Sequence, residues 1–162
     1  MSKWIYAGSF DPVTKGHLDI IERAVKINDD VVVAVLVNRE KTPLFSLEER
    51  IDMLEQCTNK MVGVTIKSFS GLLMNFAESQ NAKALVRGLR TISDFDYEFR
   101  MAALNKRQNS EIETIFIMAG TEYSYISSSS VKEIGLLGGD ISQMVPEAVL
   151  NQIEAKLKGD LK

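Results

Sequence analysis

The sequence predicts an α/β protein built on a parallel sheet, and three observations carry that reading. Short β-rich apolar runs alternate with amphipathic helical stretches five times along the chain. Turn-forming residues follow several of those runs directly, as they do where strands end at a ligand crevice. The length of 162 residues and the 45% hydrophobic content suit one domain with a sizeable core. No apolar run approaches the ~20 residues that a membrane-spanning helix needs.

Taken in order, Lys3–Ala7 is the first strand, and it begins so early that no signal peptide is expected. His17–Asn28 follows as a helix with Leu18, Ile21, Ala24 and Val25 on one face. Val31–Val37 is the second strand. In Ser46-Leu47-Glu48-Glu49 the serine and Glu49 match a capping box that opens a helix through Ile51, Leu54 and Cys57. Val64–Phe69 is a third strand, Leu72–Gln80 a short helix and Ala84–Val86 a fourth strand. Ser93–Arg107 reads as a helix opened by Ser93 and Asp96 in cap spacing, with Phe95, Phe99 and Ala102 aligned on one face. Thr114–Met118 is the fifth strand. Gly138-Gly139-Asp140 marks a turn, and Pro146 suits the first turn of a last helix over about 146–158. The expected whole is a Rossmann-like, doubly wound, five-stranded parallel sheet with helices on both faces, one domain over 1–162.

A net charge of −3 gives no broad field for gathering a nucleic-acid backbone, so any phosphate bound here needs a local site. The one cysteine, Cys57, cannot form an internal disulfide and fits a reducing cytoplasm. One histidine and one cysteine cannot build a structural zinc site.

Three segments carry chemistry. The first is Tyr6-Ala7-Gly8-Ser9-Phe10-Asp11-Pro12-Val13-Thr14-Lys15-Gly16-His17, after the first strand. Gly8 lets backbone approach a ligand, Ser9 offers an N–H and a hydroxyl, and Gly16 leaves a helix entrance open to an anion. The helix dipole there biases His17 toward its neutral form. The plainer alternative makes Thr14 or Asp11 a cap and His17 a solvated first-turn residue. The second is Arg87-Gly88-Leu89-Arg90, read as lying after the fourth strand, with two planar forks for phosphate or two exposed arginines in weak ion pairs. The third, Tyr123-Ser124-Tyr125-Ile126-Ser127-Ser128-Ser129-Ser130, places serines ahead of a helix, either as caps or as a triphosphate lining. Lys41 follows the second strand and either reaches a phosphate or is merely solvated. Lys106 and Arg107 only complement a helix dipole.

Gly8-Ser9-Phe10-Asp11-Pro12 followed by Thr14-x-Gly16-His17 resembles the signature of the nucleotidyltransferase superfamily. Adding Ser46-Leu47-Glu48-Glu49-Arg50, Arg87-Gly88-Leu89-Arg90, Asp94-Phe95-Asp96-Tyr97-Glu98 and Ile126-Ser127-Ser128-Ser129 narrows the resemblance to the phosphopantetheine adenylyltransferase family, almost end to end. That resemblance implies transfer of the adenylyl group of ATP to 4′-phosphopantetheine, giving dephospho-coenzyme A and pyrophosphate. It implies ATP contacts at Ser9, Phe10, His17, Gly88, Leu89, Arg90 and Glu98. Tyr123, Ser124, Tyr125, Ile126, Ser127, Ser128 and Ser129 complete that set. Phosphopantetheine falls to Ser9, Lys41, Leu73 and Arg87. His17 is the implied transition-state stabiliser, with Lys41 and Arg90 assisting. Gly71 stands where relatives carry an acidic residue. The resemblance further implies Mg²⁺ arriving with ATP and no metal ligand from side chains, a homohexamer, a cytoplasmic location, and neither nucleic acid nor membrane as partner. The alternatives are a nucleotidyltransferase using CTP or another acceptor, and a nucleotide-binding module without catalysis.

Overall fold

A computed structural model describes residues 2–37 and 42–159. Five strands, β1 (Lys3–Gly8), β2 (Val31–Leu36), β3 (Val64–Phe69), β4 (Ala82–Leu89) and β5 (Glu113–Met118), pair in parallel in the order β3-β2-β1-β4-β5. The chain winds outward from β1 through β2 to β3, then crosses back to lay β4 on the other side of β1. The reversal therefore lies between β1 and β4, where doubly wound sheets open a crevice at the strand ends.

The helices are α1 (Lys15–Ile27), α2 (Leu47–Thr58), α3 (Leu73–Ser79), α4 (Ile92–Gln108), α5 (Ser128–Leu136) and α6 (Glu147–Gly159). Side chains alternate across the sheet, as the two-residue period requires. Tyr6, Val31, Val33, Val35, Val86 and Ile117 face the larger core, together with residues of α1, α2, α5 and α6. Ile5, Ala7, Val32, Ala34 and Leu85 face a smaller core, closed by Met74 and Ala77 of α3. Burial on both faces is why β2 reads as an unbroken apolar run, Val-Val-Val-Ala-Val-Leu.

Local chemistry sets the helix starts. The Ser46–Glu49 capping box forms as predicted: the Glu49 N–H donates to Ser46 Oγ at 3.2 Å, and the Ser46 N–H donates to Glu49 Oε2 at 2.7 Å. Two other starts depart from expectation. Thr91, not Ser93, caps α4, accepting from the Asp94 N–H at 3.2 Å, so the helix begins two residues early. Ser128, Ser129 and Ser130 form the first turn of α5 rather than preceding it, and Ser127 is the cap. Strand β4 runs on to Leu89, so Arg87, Gly88 and Leu89 lie inside it. Pairing with β5 continues through Leu89↔Met118 after pairing with β1 has stopped at Tyr6↔Val86.

A feature that spacing does not reveal concerns α4. The sequence aligns Phe95, Phe99 and Ala102 on one face without saying what covers it, and no residue of the helix is buried. Phe95 touches Phe116 of β5 edge-on, but Phe95 is 43% and Phe99 59% exposed. Ile92 and Met118, which line one hollow with Phe95, are exposed as well. An uncovered apolar area of this kind marks an interaction surface. Cys57 is half-buried in α2, and burial pushes its thiol up to about 11, so it stays protonated and unreactive. No described helix is long and apolar enough to cross a membrane.

Candidate active site

Two adjoining hollows open at the β1/β4 reversal. The first, about 240 Å³, is lined by Gly8, Gly88, Arg87, Arg90 and Ile126 among others. The second, about 390 Å³, includes Ser9, Asp11, Arg50, Ser129 and Lys132. Phe10, His17 and Ser128 line both, so the only imidazole of the chain stands on the seam.

His17 is held in one tautomer. The Thr14 backbone N–H donates to Nδ1 at 3.0 Å, and the His17 N–H donates to Thr14 Oγ1 at 3.2 Å. A backbone N–H can only donate, so Nδ1 is the acceptor and the ring proton resides on Nε2. No buried side-chain nitrogen or oxygen among the described residues lacks a partner. Nε2, which has no protein partner there, therefore opens on the hollows. Phe10 packs edge-on against the ring with centroids 4.9 Å apart. Burial, and secondarily the charge of Arg90, lowers the imidazole pKa to about 4. The expected neutrality is present, but burial rather than the helix dipole is its main cause. His17 is thus both a capping partner of Thr14 and a group facing the hollows, so the two sequence readings coexist.

The two arginines are aimed rather than loose. Arg87 Nε and Nη2 each donate at 2.7 Å to the two oxygens of Glu98, and Nη1 donates at 3.0 Å to the Ala7 carbonyl. Burial alone pulls its pKa down, but the Glu98 hydrogen bond and charge outweigh that and raise it. Arg90 Nε donates to Asp94 Oδ2 at 3.0 Å, and Nη1 donates to the Ile126 carbonyl at 2.8 Å. Asp94 and Glu98 stand one helical turn apart on α4. Glu98 lines the first hollow, with both oxygens engaged by Arg87. The neighbouring glycines are required by contact: a Cβ on Gly88 would sit 2.9 Å from Ile20 Cγ1, and one on Gly8 3.2 Å from Phe10 Cζ.

The remaining predicted residues divide. Ile126, Ser127 and Ser128 line the first hollow, and Ser128 Oγ donates to the Pro12 carbonyl at 2.8 Å, tying α5 to the opening loop. Ser9 and Ser129 line the second. Tyr123, Ser124 and Tyr125 line neither; Tyr125 points outward and the Ser124 hydroxyl donates to the Thr121 carbonyl. Leu89 is buried at an apolar hollow with Ile92, Phe95 and Met118. Leu73 packs beside the smaller core with Leu36 and Phe76. Gly71 has φ +84, a left-handed turn position that suits glycine. Lys41 lies outside the described residues.

Residues that the sequence did not single out complete the walls. Asp11, read only as a possible cap, is buried and accepts from the Leu44 N–H, the Phe45 N–H and Lys132 Nζ, at 3.0, 2.8 and 3.0 Å. Asp94 orients Arg90, and Arg50 reaches in from α2. Asp11 belongs to the quoted loop, and its place there was the available signal. Arg50 closes the Ser46–Arg50 segment of the resemblance, but no role was assigned to it because by spacing it reads as an ordinary helix-surface arginine.

A polar seam at the reversal of a doubly wound sheet, with a neutral imidazole and two oriented guanidinium groups, defines a nucleotide-handling transferase site. The family model described as cytidylyltransferase-like matches residues 5–134. The phosphopantetheine adenylyltransferase of Clostridium botulinum (strain Hall) is 48% identical over 157 residues, covering 97% of this chain and 96% of that one. The like-named protein of Heliobacterium modesticaldum is 49% identical, covering 96% and 93%. Among solved structures, a Vibrio parahaemolyticus protein assigned as a nicotinate-nucleotide adenylyltransferase superposes with a TM-score of 0.64 at 18% identity, covering 96% of each chain. That likeness shows the shared fold. The chain belongs to the phosphopantetheine adenylyltransferase family, within the cytidylyltransferase-like nucleotidyltransferases.

Proposed function

We propose that this enzyme transfers the adenylyl group of ATP to 4′-phosphopantetheine, releasing pyrophosphate and dephospho-coenzyme A, a step of coenzyme A biosynthesis. The observation that carries the chemistry is the seam position of His17, with Nδ1 taken by Thr14 and the Nε2 proton free. The acceptor phosphate is already an anion near neutral pH, so no general base is needed. A neutral donor aimed at the α-phosphoryl oxygens stabilises charge as it develops, which is where positioned hydrogen bonds contribute most. In this reading the first hollow takes adenosine against Gly88, Arg90 and Ile126, and the second hollow takes phosphates against Ser9 and Ser129. Arg87, braced by Glu98, and Lys41 align the attacking phosphate; Leu73 and Leu89 act as apolar wall, and Tyr123, Ser124 and Tyr125 border the nucleotide. An arginine gripped by a carboxylate supplies direction with a reduced charge, which suits orientation better than tight binding.

Mg²⁺ in this proposal enters with ATP, held by phosphate oxygens and water. The carboxylates of Asp11 and Glu98 are already engaged by donors of the chain. The cytoplasm is the proposed location, since the reaction draws on ATP, and no nucleic-acid or membrane partner is invoked. A homohexamer is proposed as the assembly, and the uncovered apolar side of α4 supports burial against another copy.

Mass-spectrometric detection of dephospho-coenzyme A from ATP and 4′-phosphopantetheine tests the function. Product from CTP or from a nicotinate mononucleotide acceptor instead would favour the rival transferases. Absence of pyrophosphate under all combinations would favour a binding module.

A further inference from the structure

Tyr6 lines the first hollow, yet adenylyl transfer as proposed gives its hydroxyl no task. The residue is only 7% exposed, with Phe10 edge-on against its ring at a centroid distance of 5.5 Å and the His17 ring tilted at 6.5 Å. A Cβ built on Gly88 would lie 3.8 Å from Tyr6 Oη, so the hydroxyl sits beside bare backbone of β4. Oη makes no hydrogen bond to the described residues, and no sealed side-chain oxygen among them lacks a partner. The hydroxyl therefore opens on the hollow that Tyr6 lines.

The other polar side chains of that hollow are already engaged. Thr14 Oγ1 accepts from the His17 N–H, Ser127 Oγ accepts from the Ser130 N–H, and Ser128 Oγ donates to the Pro12 carbonyl. Arg87 is paired with Glu98, and Arg90 with Asp94. Among the described residues, His17 Nε2 and Tyr6 Oη are the side-chain groups left for a ligand. Burial raises the phenol pKa far above its ordinary value, with the charges of Arg87 and Arg90 opposing, so the hydroxyl keeps its proton. An ionised phosphate offers only acceptors and is best met by cations and backbone N–H groups. A sugar hydroxyl donates and accepts at once, as a phenol does. The sugar is also the part of a nucleotide bonded directly to the α-phosphate at which His17 is aimed, and Tyr6 stands next to His17.

We infer that the Tyr6 hydroxyl recognises the ribose of the bound nucleotide by exchanging a hydrogen bond with a sugar hydroxyl, so that the site prefers ribonucleotides over deoxynucleotides. The inference rests on the adenylyl-transfer reading above, in which adenosine occupies the first hollow. A buried polar group discriminates because an analogue lacking its partner leaves it unpaired and shut away from water. Tyr6→Phe removes both the bond to the ribose and the penalty against a deoxy sugar.

The test is titration calorimetry of ATP, 2′-deoxy-ATP and 3′-deoxy-ATP, without acceptor, on the full chain as wild type and as Tyr6→Phe. Wild type is expected to bind at least one deoxynucleotide on the order of tenfold more weakly than ATP, and Tyr6→Phe to bind all three within about twofold of one another. The melting temperature of free Tyr6→Phe should match or exceed that of wild type, since the hydroxyl has no partner in the described chain to lose. Equal wild-type affinity for the three nucleotides overturns the inference without any variant. So does a preference that survives undiminished in Tyr6→Phe, because another group then reads the sugar. Product formation from ATP and 4′-phosphopantetheine by wild type is measured separately. Its absence refutes the proposed function, while the binding comparison, which contains no acceptor, still decides the role of Tyr6. No binding of ATP at all refutes the nucleotide reading on which both stand.

Discussion

Lowering the pH across the range of an ordinary histidine should leave His17 uncharged in the folded protein. The imidazole is expected to titrate near 4 rather than 6.5, because burial and then the Arg90 charge oppose protonation. At about 1.4 kcal/mol per pH unit, that drop is worth at most about 3 kcal/mol, and solvent at the Nε2 edge trims it toward 2. The sign follows from where each state takes up its proton. Between pH 6.5 and about 4 the unfolded chain binds a proton that the native ring refuses. Its contribution to stability is therefore complete above pH 6.5 and lost as pH falls through 4. Because the chain has a single histidine, one ring signal in a proton–carbon NMR titration reports the midpoint without assignment. Ring nitrogen shifts should identify the Nε2–H tautomer. Urea unfolding of wild type and His17→Gln, at pH 7 and pH 4.5, separates this group from the carboxylates, and wild type should lose more. A midpoint at 6 or above, or a proton on Nδ1, would refute the burial argument and the lock by Thr14 together.

Other substitutions probe other parts. His17→Ala should keep the fold and lower kcat by about 10²–10³, with a smaller change in ATP affinity, by steady-state kinetics. Arg87→Ala strips the half-buried Glu98 of its partner and should destabilise by about 3 kcal/mol in urea melts while raising the KM for phosphopantetheine; Glu98→Gln in the same background should recover much of the stability. Gly88→Ala drives a Cβ to 2.9 Å from Ile20 and should cost about 1–3 kcal/mol, read as a lower melting temperature. Phe99→Asp should shift the mass measured by light scattering toward the 18.1 kDa monomer, and an unchanged assembly would remove α4 from the contact.

The strands, the Ser46 capping box and the Gly-Ser loop were legible in sequence because each depends on neighbours along the chain. Alternation, cap spacing and turn chemistry are local signals. The extension of β4 was not legible, since only pairing with β5 holds Arg87 through Leu89 extended. Nor was the exposure of Phe95 and Phe99: helical spacing reveals an apolar face but not whether this same chain covers it. Of the site, the position of His17 followed from its motif, while the partners of Arg87 and Arg90 emerged only when α4 folded back over the strand ends. Arg50 and Lys132 join the same hollow from helices far apart in sequence, and no spacing rule connects them.

Helix α4 carries the Asp94 and Glu98 carboxylates and, beside them, the uncovered aromatic rings. Both guanidinium groups thus take their bearing from one rod whose flank is open to company. A slide or roll of that rod re-aims the pair together, and neither arginine can be adjusted without disturbing the other. Whatever leans on Phe95 and Phe99 leans also on the crevice behind them.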